Sequence, residues 1–474
     1  VRRDLARVFA LERAGRYDEA LALAETALAS ARALADPVLE AEALAKRGGI
    51  RWRMSDFAAA EQDLLAGHFL ASRIGHDTVA YATARDLAWV VGVQRGRPDE
   101  GRIWLEHARA ALVRSGGDPE REPDIFERLG ELENAEGHYA EALEAHERTL
   151  ALREEQLGSE HPAVAESLLE VGALQGLLGD EQGLETLARA RALAVLGLGE
   201  AHPTVATIAS WIGMLLHGSG RLDESAVALR RALDVREQAF GPDEPGLANI
   251  ITSLAAVQEA RGELLEALLL HERATKILER TLGPEHSDTL SARANFAAAK
   301  AESGQVDEAI IMLRDAVAVA QRVLSPNEPI QSSLLTPLAY YLAKRGDYEE
   351  ARPLLLRALE IDEASLGPEH PELTGVLADL VHAALALGDL QLALTHARRA
   401  LAIREAAVPD DPERARAHDQ VALALLALDR VEEARSEHRQ AQAITDPQRV
   451  PSDGDELAAL REKLAMLRGE SVAN

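Results

Sequence analysis

The sequence contains no cysteine, which excludes disulfides, thiolate metal sites and cysteine nucleophiles at once. Aromatic residues make up only 3% although apolar residues reach 47%, so a core must be built mainly from Ala, Leu and Val. Ala and Leu are strong helix formers, and the residues that favour strands are scarce. No apolar run approaches the roughly 18 residues needed to cross a bilayer. The opening VRRDLARVFALERAG is amphipathic and lacks the small-residue cleavage site of a signal peptide. The expectation is an all-α protein, soluble and cytoplasmic. Lysine is also scarce, at five of 51 basic residues, an Arg bias associated with GC-rich bacterial genomes. The chain begins with Val1, which reads as the edge of a longer polypeptide.

Formal net charge is −28, placed unevenly. Residues 1–120 are close to balanced, with a net of −1, and residues 121–474 carry the remaining −27. So acidic a surface repels phosphate backbones, which argues against nucleic acid as a partner. It suits solubility and basic protein partners.

What the chain does have is a ruler. LGSEHP begins at Leu157, LGEAHP at Leu198, FGPDEP at Phe240, LGPEHS at Leu282, LSPNEP at Leu324 and LGPEHP at Leu366, and AVPDDP at Ala407 closes the series as a degraded copy. The steps are 41, then 42 four times, then 41. A second mark runs in step: Gly, any residue, a bulky apolar residue, two mostly polar residues, Ala. GRYDEA at Gly15, GHYAEA at Gly137, GELLEA at Gly262, GQVDEA at Gly304 and GDYEEA at Gly346 are clear copies. GRLDES at Gly220 and GDLQLA at Gly388 are close, while SDFAAA at Ser55, GRPDEG at Gly96, GDEQGL at Gly179 and DRVEEA at Asp429 are degraded. Periods of this length mark stacked repeats.

Between the marks the apolar residues recur with helical spacing, as at Val164, Leu168, Val171, Leu174 and Leu178. Each unit is read as helix A, a glycine turn, a longer helix B and the LGxxHP loop. Seven residues before the turn, helix A carries Gly130, Gly172, Gly213, Ala255, Ala297 or Ala339. Five after it, helix B carries Ala142, Ser225, Ala267, Ala309, Ala351 or Ala393. Small residues there let the two backbones approach to the short end of the usual ~8–10 Å. In the loop, Leu366 is expected to bury the last turn of helix B. Gly367 should end that helix, Pro371 should start the next, and His370 should help to cap it.

GDYEEA, preceded by Leu338 and Ala339 and followed by Ala358, resembles the tetratricopeptide repeat. The 42-residue period with its LGPEHP loop is similar to the kinesin light-chain subtype. The resemblance is strongest from Leu129 to Ala441. It implies a right-handed superhelical solenoid of about eleven helix pairs. Three regions are expected: degenerate helical repeats over 1–120, regular 42-residue repeats over 121–447, and a linker with a capping helix over 448–474. Residues 1–120, including AWVVGVQRGRPDEG from Ala88, resemble the start of the repeat-rich region that follows the catalytic domain in some bacterial serine/threonine kinases.

No catalytic signature stands in the sequence. There is no G-x-G-x-x-G loop, no H-R-D with a downstream Asn, no D-F-G, no G-K-[ST] and no H-E-x-x-H. HER at His146 and at His271 lacks a second His four residues on. His161, His202, His286 and His370 recur once per repeat, on the order of 10 Å apart at the least, and zinc needs its nitrogens within about 2.1 Å of one point. Neither a metal nor a cofactor is expected, and the segment reads as non-enzymatic.

The resemblance implies instead a concave groove lined by A helices that binds peptide or protein partners. Nine residues before each turn stand Arg128, Glu170, Trp211, Ser253, Asn295, Pro337 and Asp379, and six before it stand Glu131, Met214, Tyr340 and His382. The light-chain subtype often has Asn in this row, and only Asn295 keeps it. Pro337 is expected to kink its helix. Trp211 and Tyr340 are taken as exposed aromatic anchors. Near the end, Leu457, Leu460, Leu464 and Leu467 follow steps of 3, 4 and 3, which fits a capping helix better than a short dimerising coiled coil. The expected function is a protein-interaction scaffold, monomeric and not membrane-bound. The alternative is the regulatory or sensor region of a bacterial serine/threonine kinase whose catalytic domain lies upstream.

Overall fold

Ala-rich and Leu-rich segments punctuated by Gly give one kind of element: in the computed structural model, which describes residues 1–13, 16–407, 413–445 and 457–467, every regular element is a helix, and short turns and loops join them. The chain divides into two units, Val1–Ala239 and Phe240–Asn474. In the first, α1 (Arg2–Arg13) pairs with α2 (Tyr17–Ala33), α3 (Pro37–Arg53) with α4 (Phe57–Ile74), and α5 (Asp77–Trp89) with α6 (Pro98–Arg114). Then α7 (Glu122–Ala135) pairs with α8 (Tyr139–Leu157), α9 (Val164–Leu177) with α10 (Gln182–Leu198), and α11 (Pro203–Gly218) with α12 (Leu222–Phe240).

The second unit pairs α13 (Leu247–Ala260) with α14 (Leu264–Thr281), α15 (Ser287–Glu302) with α16 (Val306–Val323), and α17 (Pro329–Arg345) with α18 (Tyr348–Leu366). It continues with α19 (Leu373–Ala386) and α20 (Leu390–Ala407), then α21 (Glu413–Ala427) and α22 (Val431–Thr445), and ends in α23 (Ala458–Leu467). The expected eleven pairs and the final helix are all present. Successive A helices also touch one another along runs of the array: α1, α3, α5 and α7, then α9 and α11, and α15, α17, α19 and α21. In each run the A helices form a layer on one side.

The glycine turns work as their spacing requires. Gly137, Gly179, Gly220, Gly262, Gly304, Gly346 and Gly388 have φ between 73° and 94°, a region that costs a side chain ~1–2 kcal/mol. At the degraded marks, Ser55 and Asp429 hold the same left-handed backbone at φ 62°. The backbone has kept the turn where the sequence has lost the glycine. Gly15 lies outside the described residues.

Small residues join A to B as predicted. The Ser225 hydroxyl donates to the Gly213 carbonyl at 2.6 Å, linking the positions seven before and five after the turn. A side chain at Gly172 would lie 2.8 Å from Leu187 Cγ, and one at Gly213 would lie 2.6 Å from Leu229 Cγ. The degraded mark GRPDEG has a cause of its own. Helix α5 runs into a π turn at Val90–Gln94, and a Cβ on Gly101 would come within 2.7 Å of Gly92 Cα. Gly101 replaces the usual Ala because that turn brings the two backbones together.

The LGxxHP loop is a cap. Each loop histidine accepts, through Nδ1, the backbone N–H two residues on: His161 from Ala163, His202 from Thr204 and His286 from Asp288, all at 3.2 Å, and His370 from Glu372 at 3.3 Å. Arginines from the next B helix hold the loops from outside. Arg189 donates to the Ser159 carbonyl at 2.8 Å and Arg399 to that of Pro368 at 2.7 Å. The leading leucine departs from expectation. Leu366 is 40% exposed, and Leu157, Leu198 and Phe240 are likewise at the surface. Burial in α18 ends at Ile361, more than a turn before Leu366, so the last turn of helix B runs past the core. The helix α17 is continuous from Pro329 to Arg345 through Pro337.

Candidate functional site

The ten candidate residues all lie on A helices, five in each unit. In the first unit the fold brings Arg128, Glu131 and Glu170 into one electrostatic neighbourhood on α7 and α9. Arg128 forms an ion pair with Glu131, one turn along the same helix, and its guanidinium lies over the Trp89 ring at 5.9 Å. Burial raises the Glu131 carboxyl above its ordinary range, with Arg128 opposing. Glu170 has no such cation. Its carboxyl opens to solvent, but crowding by protein, together with Glu131, Glu127 and Glu166, pushes it up to about 7. Met214 is exposed at 41%. Trp211 is not the free aromatic expected. It is half-buried against the apolar cluster of Leu168, Leu187 and Ile208, where α11 comes close to α9: a Cβ on Gly176 would overlap Leu215 Cδ2.

In the second unit Ser253 is half-buried and Asn295 exposed. Tyr340 is 42% exposed, stacks edge-on against Tyr341 at 5.2 Å and lies under Lys344 Nζ at 5.1 Å. Tyr340 and Asp379 line a cleft of about 360 Å³ with Arg416 and Gln420. Burial pushes the Asp379 carboxyl up to about 6, with Arg416 opposing. His382, one turn further along α19, is held down to about 4 by burial and by Lys463 and Arg416. Its Nε2 is shielded from solvent and has no hydrogen-bond partner.

A second cleft, of about 420 Å³, opens on the A helices α1, α3 and α5, and Phe9, Lys46, Gly49, Arg53 and Arg85 line it. Lys46 Nζ lies 5.0 Å from the Phe9 ring centroid. Beside it Arg53 covers Trp52 at 4.2 Å, and Trp52 meets Trp89 at 4.8 Å. These residues also occupy the repeat positions of the candidate row: Phe9 stands six before Gly15, and Lys46 and Gly49 stand nine and six before Ser55, where the degraded mark hides the register. The same counting from Asp429 reaches Gln420. Glu133, Glu136 and His138 have ligand atoms close together, but Arg102 already donates to Glu133 at 2.9 Å and pairs with Glu136. A cation there would have to displace a guanidinium. The two HER histidines are packing groups: His146 and His271 are both buried, and His271 meets Glu259 at 3.0 Å. No helix among the described residues is long and apolar enough to cross a membrane.

A stretch of 109 residues is 35% identical to the clustered mitochondria protein homolog of Homo sapiens, and 112 residues are 33% identical to that of Xenopus tropicalis. Each match covers 23% of this chain and 8% or 9% of the relative, so the chain spans less than a tenth of these relatives. Among solved structures, a kinesin light chain-type protein of Podosopora anserina with nearly identical repeats is 24% identical. It covers 44% of this chain and 98% of its own, with a TM-score of 0.39. BtubC from P. vanneervenii is 20% identical, over 51% of this chain and 92% of its own, with a TM-score of 0.40. The family description "Tetratricopeptide repeat" matches residues 121–194, 204–280, 251–322 and 330–406, more than half of the sequence. The chain belongs to the tetratricopeptide-repeat family.

Proposed function

We propose that the A-helix layers of the two units bind segments of partner proteins, and that the segments taken beside Glu170 and Asp379 are basic. One observation carries the reading. At some of the repeat positions nine and six before the turn, side chains meet in clefts: Phe9, Lys46 and Gly49 in the first unit, and Tyr340, Asp379 and Gln420 in the second. Scaffold positions without a ligand have no reason to concentrate titratable groups where the protein makes their ionisation costly. Glu170 and Asp379 are both pushed towards neutrality, and a cationic side chain placed against either would restore the ionised form. The net charge of −28 adds long-range attraction for the same partners.

The test is selection from a displayed library of random peptides, with the wild-type chain and the Glu170→Gln, Asp379→Asn double variant as baits. Enrichment of Lys-rich and Arg-rich sequences by the wild type, weakened roughly tenfold in the variant (about 1.4 kcal/mol), is the expected result. Identical selections by both baits would sink the reading.

A further inference from the structure

Helix α23 is seated where a partner would be. A further A helix stacked on the end of the array would pack on α22, as α21 packs on α20. Instead α23 packs on α21 and α19, the A layer itself. Nothing in α22 calls for an end seal: its buried residues are only Ala434 and Ala441, and terminal repeats close an array with a polar face of this kind. On the A layer, Leu457, Leu460 and Leu464 are buried in one cluster with Ala417, Val421 and Leu425, and Leu467 packs at its edge. Lys463 falls beside the half-buried His382 and Arg416, and Asp419 favours its charge. A candidate groove position is therefore covered by the chain's own C-terminal helix.

We infer that the α19/α21 face is a docking site for an amphipathic helix, and that α23 occupies it in cis. The partner is a helix carrying leucines at i, i+3, i+7 and i+10, with a cation just before the third. This rests on the reading of the A layer as the binding surface and names the partner's chemistry at one place on it. A ten-residue helix is too short to persist alone in water, so α23 owes its helical form to this face. Because α23 is attached by only the eleven residues 446–456, a free helix of equal affinity competes against an effective concentration on the order of millimolar. A partner must therefore bind more tightly than α23, or α23 must be weakened first.

The probe is a fluorescein-labelled peptide of residues 455–468, DELAALREKLAMLR, titrated against the full chain and its Leu460→Asp, Leu464→Asp variant. The variant should bind the peptide at least tenfold more tightly than wild type, and a peptide with those two leucines changed to Ser should bind neither. Should the double variant lose helical circular dichroism, Leu464→Ser is expected to move binding in the same direction by about threefold. Equal affinity for both chains, or no binding by a folded variant, would overturn the inference. So would a wild-type dimer made monomeric by the substitutions, since α23 would then sit on a second copy. A variant that fails to take the peptide while wild type still selects basic peptides through Glu170 and Asp379 would remove this inference and leave the broader reading standing.

Discussion

The imidazole of His146 fills the space that a side chain at Gly130 would need. A Cβ on Gly130 would overlap the ring's Nε2 and Cδ2, and His146 is only 2% exposed. Helix α8 thus sends a large residue into a notch on α7, as Leu187 does at Gly172 and Leu229 at Gly213. His146 is a wedge between helices.

Gly130→Ala tests which effect wins. Helix propensity favours Ala by about 1 kcal/mol, while overpacking a filled site costs ~1–3 kcal/mol. Urea melts should show a net loss of up to about 2 kcal/mol. Adding His146→Ala removes the overlap and leaves the propensity gain, so the double variant should be more stable than the two single effects added together. Strict additivity would mean that ring and notch do not interact.

His146 also makes the fold acid-sensitive. Burial, with Arg153 assisting and Glu127 opposing, holds it down to about 4, against about 6.5 in an unfolded chain. A base whose folded pKa is depressed contributes stability that is present above pH 6.5 and is lost as pH falls towards 4, because the unfolded state then takes up the proton. The loss is about 3 kcal/mol at most. Urea melts of His146→Gln at pH 7.5 and pH 4.5 should show a smaller drop than wild type. An unchanged pH slope would place the acid sensitivity elsewhere.

Glu170 has the opposite sign. Its carboxyl, crowded by protein and by Glu131, Glu127 and Glu166, is pushed up to about 7, against an ordinary 4.3 or so. Such a group favours the folded state fully below its unfolded pKa, and the advantage is lost as pH rises through 7. Glu170→Gln keeps the shape without the charge. It should raise the melting temperature at pH 8, with a smaller gain at pH 5.5. A lower melting temperature at pH 8 would mean that the ionised carboxylate has a stabilising partner.

The architecture was readable because two motifs kept time. Wherever Gly and LGxxHP survive, pair boundaries and small-residue contacts fall as counted, down to Ser225 on Gly213. The reading weakened where the physical requirement is held by something other than the expected residue. Ser55 and Asp429 keep a left-handed backbone without glycine, so the count that reaches Lys46 and Gln420 has no glycine to start from. Trp211 was misread for a different reason. Position in a repeat fixes which helix face a residue occupies, but how much of a large ring is covered depends on how closely the neighbouring pair approaches, as α9 does α11 where Leu215 sits against Gly176. The placement of α23 was likewise illegible. Leucines at steps of 3, 4 and 3 announce a buried stripe, but they do not say which surface buries it.

The loop histidines offer the last test. Each accepts a backbone N–H at the start of the following A helix through Nδ1, His202 from Thr204 at 3.2 Å among them. At His202 the backbone is extended, with φ −78° and ψ 139°, and Pro203 opens the helix, so this residue is an N-cap in geometry as well as in bonding. Asp makes the same bond and adds a negative charge that the helix N-terminus favours. His202→Ala should therefore cost about 1 kcal/mol, and His202→Asp should equal or exceed wild type. Guanidinium melts of the three chains at pH 7.5 decide it. If Ala proves harmless and Asp harmful, the imidazole is held for packing against the neighbouring loop, and the interval of 42 residues marks a contact instead of a cap.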